Sequence, residues 1–136
     1  MMKNTILVVD DEPEIRSLLS RFLGKKGFSV MTAGTLREGR ELFKETNPAL
    51  VFLDVNLPDG NGLSELKQIN LGENKSKVIM MSAFDHQEVK TEALAFGAID
   101  FLSKPFNIAR LDQVVQSQLI SSNNNLQKDN GKDSSN

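Results

Sequence analysis

The segment LVFLDVNLPDGNG, from Leu50 to Gly62, passes from an apolar run into turn-forming residues through a single aspartate, Asp54. An apolar run without polar alternation predicts a β-strand that is buried on both faces. Pro58 and Gly60 predict a turn directly after that strand. The buried strand therefore ends on a charge, and the position of Asp54 needs a physical explanation.

Two further apolar runs, TILVVD from Thr5 and KVIMMSA from Lys77, also predict strands that are buried on both faces. Weaker strands are predicted for FSVMTA and AIDFLS. The segment PEIRSLLSRFLGKKG has the apolar periodicity of a helix. Further helices are predicted for Leu36 to Thr46, Gly62 to Asn70, Gln87 to Phe96 and Asn107 to Ser121. This alternation predicts a (βα)5 chain, an α/β fold with a doubly wound, five-stranded parallel sheet and helices on both faces.

The composition fits one globular domain and excludes several classes of function. The chain has 136 residues, of which 39% are hydrophobic and 25% are charged, and it has no cysteine. Disulfides, thiolate nucleophiles and zinc–thiolate sites are therefore excluded. A net charge of −2, with basic residues spread along the chain, argues against direct nucleic-acid binding. The N-terminal apolar run is too short for a signal peptide or a membrane span, and we expect a cytoplasmic protein without membrane contact.

The segment from Ser121 to the end, SSNNNLQKDNGKDSSN, is polar apart from one leucine. Such a segment buries too little apolar surface to offset the entropy lost on ordering. We expect one domain over residues 1–120 and a disordered polar tail or linker over residues 121–136. Either the protein is a single domain with a solvated end, or this chain is the front of a longer one.

Charged and polar residues occur at the ends of four predicted strands. Asp10 and Asp11 end the first strand and Asp54 ends the third, while Ser82 closes KVIMMS and Lys104 follows DFLS. Ligands of doubly wound sheets bind outside the carboxyl ends of the strands, where these residues converge. Three neighbouring carboxylates repel one another, and a hard divalent cation relieves that repulsion. Oxygen ligands favour Mg²⁺, for which Mn²⁺ can substitute.

This set of groups suits phosphoryl transfer. A carboxylate can attack phosphorus when a metal ion and a lysine neutralise the phosphoryl oxygens, and Asp54 would then become an aspartyl phosphate. Each residue alone has a simpler interpretation. Asp10 or Asp11 could cap the first helix, Ser82 could be an ordinary strand-end hydroxyl, and Lys104 could be a solvated side chain. The joint spacing of the residues favours the functional interpretation.

From about Lys3 to Ile120, the sequence resembles the receiver domains of two-component response regulators. The matching segments are VVDDE, FLDVNLPDGNG, MMSA and GAIDFLSKPF. The resemblance implies the flavodoxin-like receiver fold and a phosphoryl group that Asp54 accepts from a sensor histidine kinase or a phosphotransfer protein. It also implies that the chain catalyses its own phosphoryl transfer and slow autodephosphorylation, while serving mainly as a signalling protein.

The resemblance further implies a metal site and a switch. Asp10 and Asp11 would form the acidic pair of the Mg²⁺ site, with Asp54 and the main-chain carbonyl of Asn56 as further ligands.

Ser82 and Lys104 would contact the phosphoryl oxygens, and Phe101 would turn inward on activation. The activated form would dimerise or bind partners through the fourth helix, the fifth strand and the fifth helix, roughly Gln87 to Ile120. Transcription would be regulated through an effector domain outside this chain.

Other functions need to be weighed against this one. A phosphatase or phosphomutase of the haloacid-dehalogenase kind also uses an aspartate nucleophile with Mg²⁺, but its Asp-x-Asp-x-Thr pattern is not present, because VNL follows Asp54. A receiver-shaped binding module that works without phosphate usually lacks one of the acids or the lysine, and none is lost here. Asp54, Asn56 and Glu65 match part of a calcium-binding loop, but Pro58 and Asp59 occupy positions that require an oxygen ligand and a glycine.

Overall fold

The structure is a computed structural model, and it describes residues 5–72, 76–84 and 86–118. The chain divides between Lys104 and Pro105 into two units. The tail or linker predicted for residues 121–136 lies outside the described residues, as does the predicted end of the fifth helix. Among the described residues, no helix is both long enough and apolar enough to cross a membrane.

Strands and helices alternate in the first unit. In chain order they are β1 (Thr5–Val9), α1 (Pro13–Lys25), β2 (Ser29–Ala33), α2 (Leu36–Thr46), β3 (Leu50–Asp54), β4 (Asn56–Leu57), β5 (Gly60–Asn61), α3 (Gly62–Leu71), β6 (Lys77–Ser82), α4 (Gln87–Ala95) and β7 (Asp100–Ser103). In the second unit, residues 108–118 are helical. This helix begins after Asn107, whose side chain accepts a hydrogen bond from the main-chain N–H of Arg110.

Five strands form one parallel sheet in the order β2-β1-β3-β6-β7. The chain first moves outward from β1 to β2 and then returns to β3 on the other side of β1, so the direction of winding reverses between β1 and β3. In doubly wound sheets, this reversal opens a crevice at the carboxyl ends of the two strands, and ligands bind there. The predicted (βα)5, doubly wound fold is confirmed.

The sheet is covered on both faces, which explains why its strands show no polar alternation. All five residues of β3 are buried. Alternate strand residues point to opposite faces, and one face packs against α2, α3 and α4 in an apolar cluster that includes Leu7, Val9, Val51, Leu53, Met80 and Phe101. The other face carries Ile6, Val8, Phe52 and Ile79, and α1 contributes its buried residues Leu19 and Leu23 there.

Two very short strands, β4 and β5, form an antiparallel ribbon directly after β3. The sequence predicts only a turn at this position. Gly62 directly follows the ribbon and begins α3, and its N–H donates a 2.6 Å hydrogen bond to the carbonyl of Val55. A Cβ atom at Gly62 would lie 2.1 Å from the carbonyl oxygen of Asp54. Glycine is required because the backbone of α3 begins in contact with the end of β3.

We predict that Gly62→Ala lowers the free energy of unfolding by about 2–3 kcal/mol, because the added methyl group forces the end of β3 and the start of α3 apart. Gly24 is the matched control, since it lies in α1 and has no atom within 4 Å of an added Cβ. Gly24→Ala should raise the stability by about 0.5–1 kcal/mol through its higher helix propensity. Urea denaturation measures both changes, and equal stability of the two variants would contradict the proposed close approach.

Candidate functional site at the strand ends

The five residues that the sequence predicts to form a site lie at the carboxyl ends of β1, β3, β6 and β7. Asp10 and Asp11 follow β1, Asp54 and Ser82 are the last residues of β3 and β6, and Lys104 follows β7. Asp10, Asp54 and Ser82 are the polar residues that are buried in the described part of the chain. Asp11 is exposed to solvent.

Main-chain hydrogen bonds extend the sheet beyond the strands and hold these residues in place. The N–H of Asp10 donates to the carbonyl of Ala33 at 3.0 Å, and the N–H of Lys104 donates to the carbonyl of Ser82 at 2.8 Å. The guanidinium of Arg16 in α1 donates to the carbonyl of Asp10 at 2.7 Å. The main chain at the site is therefore held by hydrogen bonds that continue the sheet.

Lys104 is the cation at the centre of the site. Its Nζ lies 2.6 Å from Asp10 Oδ2, 3.1 Å from Asp54 Oδ2 and 2.8 Å from Glu12 Oε1. Burial by itself lowers the pKa of Lys104, but the hydrogen bonds and charges of the three carboxylates outweigh it and raise the pKa well above its ordinary value. Lys104 is therefore protonated under all physiological conditions.

Asp54 is the carboxylate that its surroundings perturb most clearly. Burial is the largest cause, the charge of Asp10 is the next, and together they raise the pKa of Asp54 from 3.8 to about 6. Lys104 and the N–H of Asn56, which lies 3.3 Å from Asp54 Oδ1, offset this only in part. Asp54 is therefore ionised at neutral pH, but the fold holds that charge at an energetic cost.

Asp10, Asp11 and Asp54 have the chemistry of a hard-metal site. One carboxylate oxygen from each lies within 4.8 Å of the others. Burial raises the pKa of Asp10, and its buried Oδ2 has no well-directed hydrogen bond despite the close ion pair with Lys104. The Lys104 ammonium already faces this oxygen, so a metal ion would be held by the three carboxylates together, and exposed Asp11 gives access from solvent. These three residues fit Mg²⁺, which binds oxygen ligands and retains waters.

Ser82 and Phe101 occupy the positions expected from the sequence. The Ser82 hydroxyl accepts a 2.9 Å hydrogen bond from the N–H of Phe84. A hydroxyl that accepts a hydrogen bond still has its own proton to donate. Phe101 is 7% exposed and belongs to the apolar cluster with Met80 and Ala98.

The interpretation of Asp10 or Asp11 as a cap of the first helix is wrong. The N-cap of α1 is Glu12, and no side chain makes a capping hydrogen bond there. Oδ1 of Asp10 instead accepts a 2.8 Å hydrogen bond from the N–H of Glu12. Glu12 is a partner of Lys104 that the sequence does not predict, although its position as the third acid of VVDDE is a visible signal.

Comparisons with known proteins agree with this geometry. The family described as "Response regulator receiver domain" matches residues 6–116. The regulatory protein AtoC of Escherichia coli is 36% identical over 116 residues, which are 85% of this chain and 25% of AtoC. The chemotaxis protein CheY of Bacillus subtilis is 34% identical over 119 residues, which are 87% of this chain and 99% of CheY. The chain thus spans a quarter of the length of AtoC and nearly all of the length of CheY.

The fold also matches solved structures. The solution structure of the beryllofluoride-activated NtrC4 receiver domain dimer superposes with a TM-score of 0.78 at 35% sequence identity. The match covers 84% of this chain and 94% of that chain.

We predict that Asp54→Asn stabilises the metal-free protein at pH 8. Because the pKa of Asp54 is raised in the folded state, the folded state binds the proton more tightly, and stability falls as the pH rises from about 4 to 6. A shift of this size corresponds to a loss on the order of 2–3 kcal/mol above that range. Asparagine keeps the shape of the side chain without its charge, so the variant should not suffer this loss.

The control is Glu41→Gln, which removes one negative charge from an exposed position on α2. It should change the stability by less than about 0.5 kcal/mol. Urea denaturation in EDTA from pH 4 to pH 8 compares the two variants with the wild type. If Asp54→Asn gained no more stability at pH 8 than the control, the cost assigned to the Asp54 charge would be wrong.

Proposed function

The chain belongs to the response regulator receiver domain family of two-component signalling, and from this premise we propose that it is a phosphorylation-dependent switch. Asp54 accepts a phosphoryl group from a sensor histidine kinase or a phosphotransfer protein. The observation that carries the proposal is the buried carboxylate of Asp54, which lies 3.1 Å from Lys104 Nζ and beside the acidic pair Asp10 and Asp11.

Asp54 is the nucleophile of the proposed reaction. One of its carboxylate oxygens forms a bond to phosphorus, while the bond between phosphorus and the donor's imidazole nitrogen breaks. The electron pair of the broken bond stays on that nitrogen, which takes up a proton, and the product on this chain is an aspartyl phosphate. The raised pKa of Asp54, about 6, still leaves the carboxylate ionised and nucleophilic at neutral pH.

Lys104 and Ser82 stabilise the transferred group. Lys104 already contacts Asp54, so its ammonium can donate to a phosphoryl oxygen without a large movement. Ser82 donates its hydroxyl proton to a second phosphoryl oxygen. Asp10 and Glu12 hold the ammonium of Lys104 in place.

Asp10, Asp11, Asp54 and the main-chain carbonyl of Asn56 would hold Mg²⁺, or Mn²⁺ in its place. The ion supplies positive charge that neutralises the phosphoryl oxygens. The residues themselves provide an all-oxygen site that is open to solvent at Asp11. Slow autodephosphorylation by the same site returns the switch to its resting state.

Ser82 and Phe101 would transmit the phosphorylation. When Ser82 turns toward the phosphoryl group, it gives up its hydrogen bond with Phe84 and frees the segment before α4. Phe101 has no hydroxyl, so its inward orientation buries apolar surface without leaving a polar group unsatisfied. The ring is buried in this structure, and we propose that phosphorylation favours this inward orientation over an outward one.

The output of the switch is a change in association. The NtrC4 receiver domain, which is similar to this chain, is a dimer when activated by beryllofluoride. We propose α4, β7 and the helix at residues 108–118 as the elements of this chain that take part in the association. We propose that an effector domain outside this chain then regulates transcription in the cytoplasm; AtoC, a regulatory protein that is similar to this chain, is about four times as long as the matched region.

Intact-mass measurement after incubation with acetyl phosphate and Mg²⁺ tests the proposed function. The wild type and Glu41→Gln should gain one phosphoryl group that hydroxylamine removes, because an acyl phosphate is labile to this nucleophile. Asp54→Asn, and the wild type in EDTA, should gain none. Steady release of phosphate without an adduct would indicate a phosphatase instead, and a labile adduct on Asp54→Asn would contradict the site.

Sedimentation of the same phosphorylated samples tests the output separately. The phosphorylated wild type should dimerise at concentrations where Asp54→Asn remains monomeric. A fully phosphorylated chain that stayed monomeric would contradict the dimer and leave the phosphoryl-accepting function intact.

A further inference from the structure

Asp59 connects the turn of the β4–β5 ribbon to the beginning of α2. Its Oδ1 accepts a 2.8 Å hydrogen bond from the N–H of Leu36, and its Oδ2 accepts a 3.0 Å hydrogen bond from the N–H of Arg37. These two consecutive donors belong to the first turn of α2, which has no partners for them within the helix. The contacts lower the pKa of Asp59, chiefly through the hydrogen bond from Leu36. Asp59 is therefore an ionised cap that crosses between two segments far apart in sequence.

The ribbon is held at its base as well as at its tip. At the base, Asn56 pairs with Asn61 in the ladder, and the N–H of Gly62 donates to the carbonyl of Val55 at 2.6 Å. At the tip, the turn packs closely on α2, because a Cβ atom at Gly60 would lie 2.8 Å from Cδ1 of Leu36. Only the tip depends on the Asp59 carboxylate.

Asn56 lies at the base of the ribbon, and its main-chain carbonyl belongs to the proposed metal site. A carboxylate ligand can be redirected by rotation of its side chain, but a main-chain carbonyl moves only with the backbone. The direction of the Asn56 carbonyl therefore depends on the orientation of the whole ribbon. The hydrogen bonds of Asp59 oppose rotation of the ribbon about its base.

We infer that Asp59 is a positioning residue for the metal site. It ties the ribbon to the first turn of α2 and thereby holds the Asn56 carbonyl toward the carboxylates of Asp11 and Asp54. The inference rests on the proposed function, because that function makes the Asn56 carbonyl a ligand. The hydrogen bonds of Asp59 would thus couple the position of α2 to that of the proposed phosphorylation site.

A second cap at the same helix end provides a matched control. Thr35 Oγ1 accepts a 3.1 Å hydrogen bond from the N–H of Glu38, and Glu38 Oε1 accepts a 3.0 Å hydrogen bond from the N–H of Gly34. This pair resembles a capping box, except that Glu38 bonds the N–H of Gly34 rather than that of the N-cap residue Thr35. Loss of Glu38 weakens the start of α2 without touching the ribbon, whereas loss of Asp59 weakens both the helix start and the ribbon.

Calorimetric titration of the unphosphorylated chain with Mg²⁺ tests the inference. Asp59→Ala should raise the Kd for Mg²⁺ about tenfold, the size typical of groups that orient metal ligands. Glu38→Ala should leave the Kd within about twofold of the wild type, and Asp11→Ala, which removes a ligand, should bind most weakly of all. Asp59→Asn, which keeps one acceptor oxygen, should lie between Asp59→Ala and the wild type.

Hydrogen exchange in EDTA provides a readout without the metal. Asp59→Ala should speed the exchange of amides across residues 55–62, while Glu38→Ala should affect only the start of α2. The inference would be wrong if Asp59→Ala bound Mg²⁺ like the wild type, or if Asp59→Ala and Glu38→Ala lost affinity for Mg²⁺ equally. Either result would leave the proposed function standing. A wild type that bound no Mg²⁺ would overturn the proposed function itself.

Discussion

The ion pairs of Lys104 with Asp10 and Asp54 are the interaction on which the site depends. They join the end of β7 to the ends of β1 and β3, and all three side chains are almost fully withdrawn from solvent. Burial and the charge of Asp10 outweigh this one ammonium, which explains why the pKa of Asp54 stays raised despite the contact. The site therefore has excess negative charge, and this charge favours a bound cation, which the proposed phosphoryl transfer to Asp54 also needs.

The fold concentrates this charge because of its topology. The winding of the sheet reverses between β1 and β3, so the two buried aspartates lie at the ends of adjacent strands. The turn after β3 is equally constrained, since Gly62 begins α3 against the carbonyl of Asp54. Asp59 then ties the same turn to α2. Asp54 and the loop beyond it are thus fixed by the sheet, by a helix start and by a cap from a distant segment.

The sequence predicts the fold and the five strand-end residues well, because both depend on local patterns. Apolar runs identify the buried strands, and the topology of a doubly wound sheet brings their ends together. Longer-range contacts leave no such pattern. Two such contacts join segments that are distant in sequence: the hydrogen bond of Lys104 with Glu12, and the hydrogen bonds of Asp59 with the start of α2. The β4–β5 ribbon cannot be predicted from the sequence, because a strand of two residues is too short to show a periodic pattern of apolar residues.

Chemical mapping of the phosphorylated residue tests the central claim most directly. Borohydride reduces an aspartyl phosphate to homoserine, so the chain can be phosphorylated with acetyl phosphate and Mg²⁺, reduced, digested and analysed by peptide mass spectrometry. The charge arrangement around Lys104 predicts homoserine at position 54 and unchanged aspartates at positions 10 and 11. Homoserine at position 10 or 11, or a phosphorylated chain without homoserine at position 54, would contradict the account.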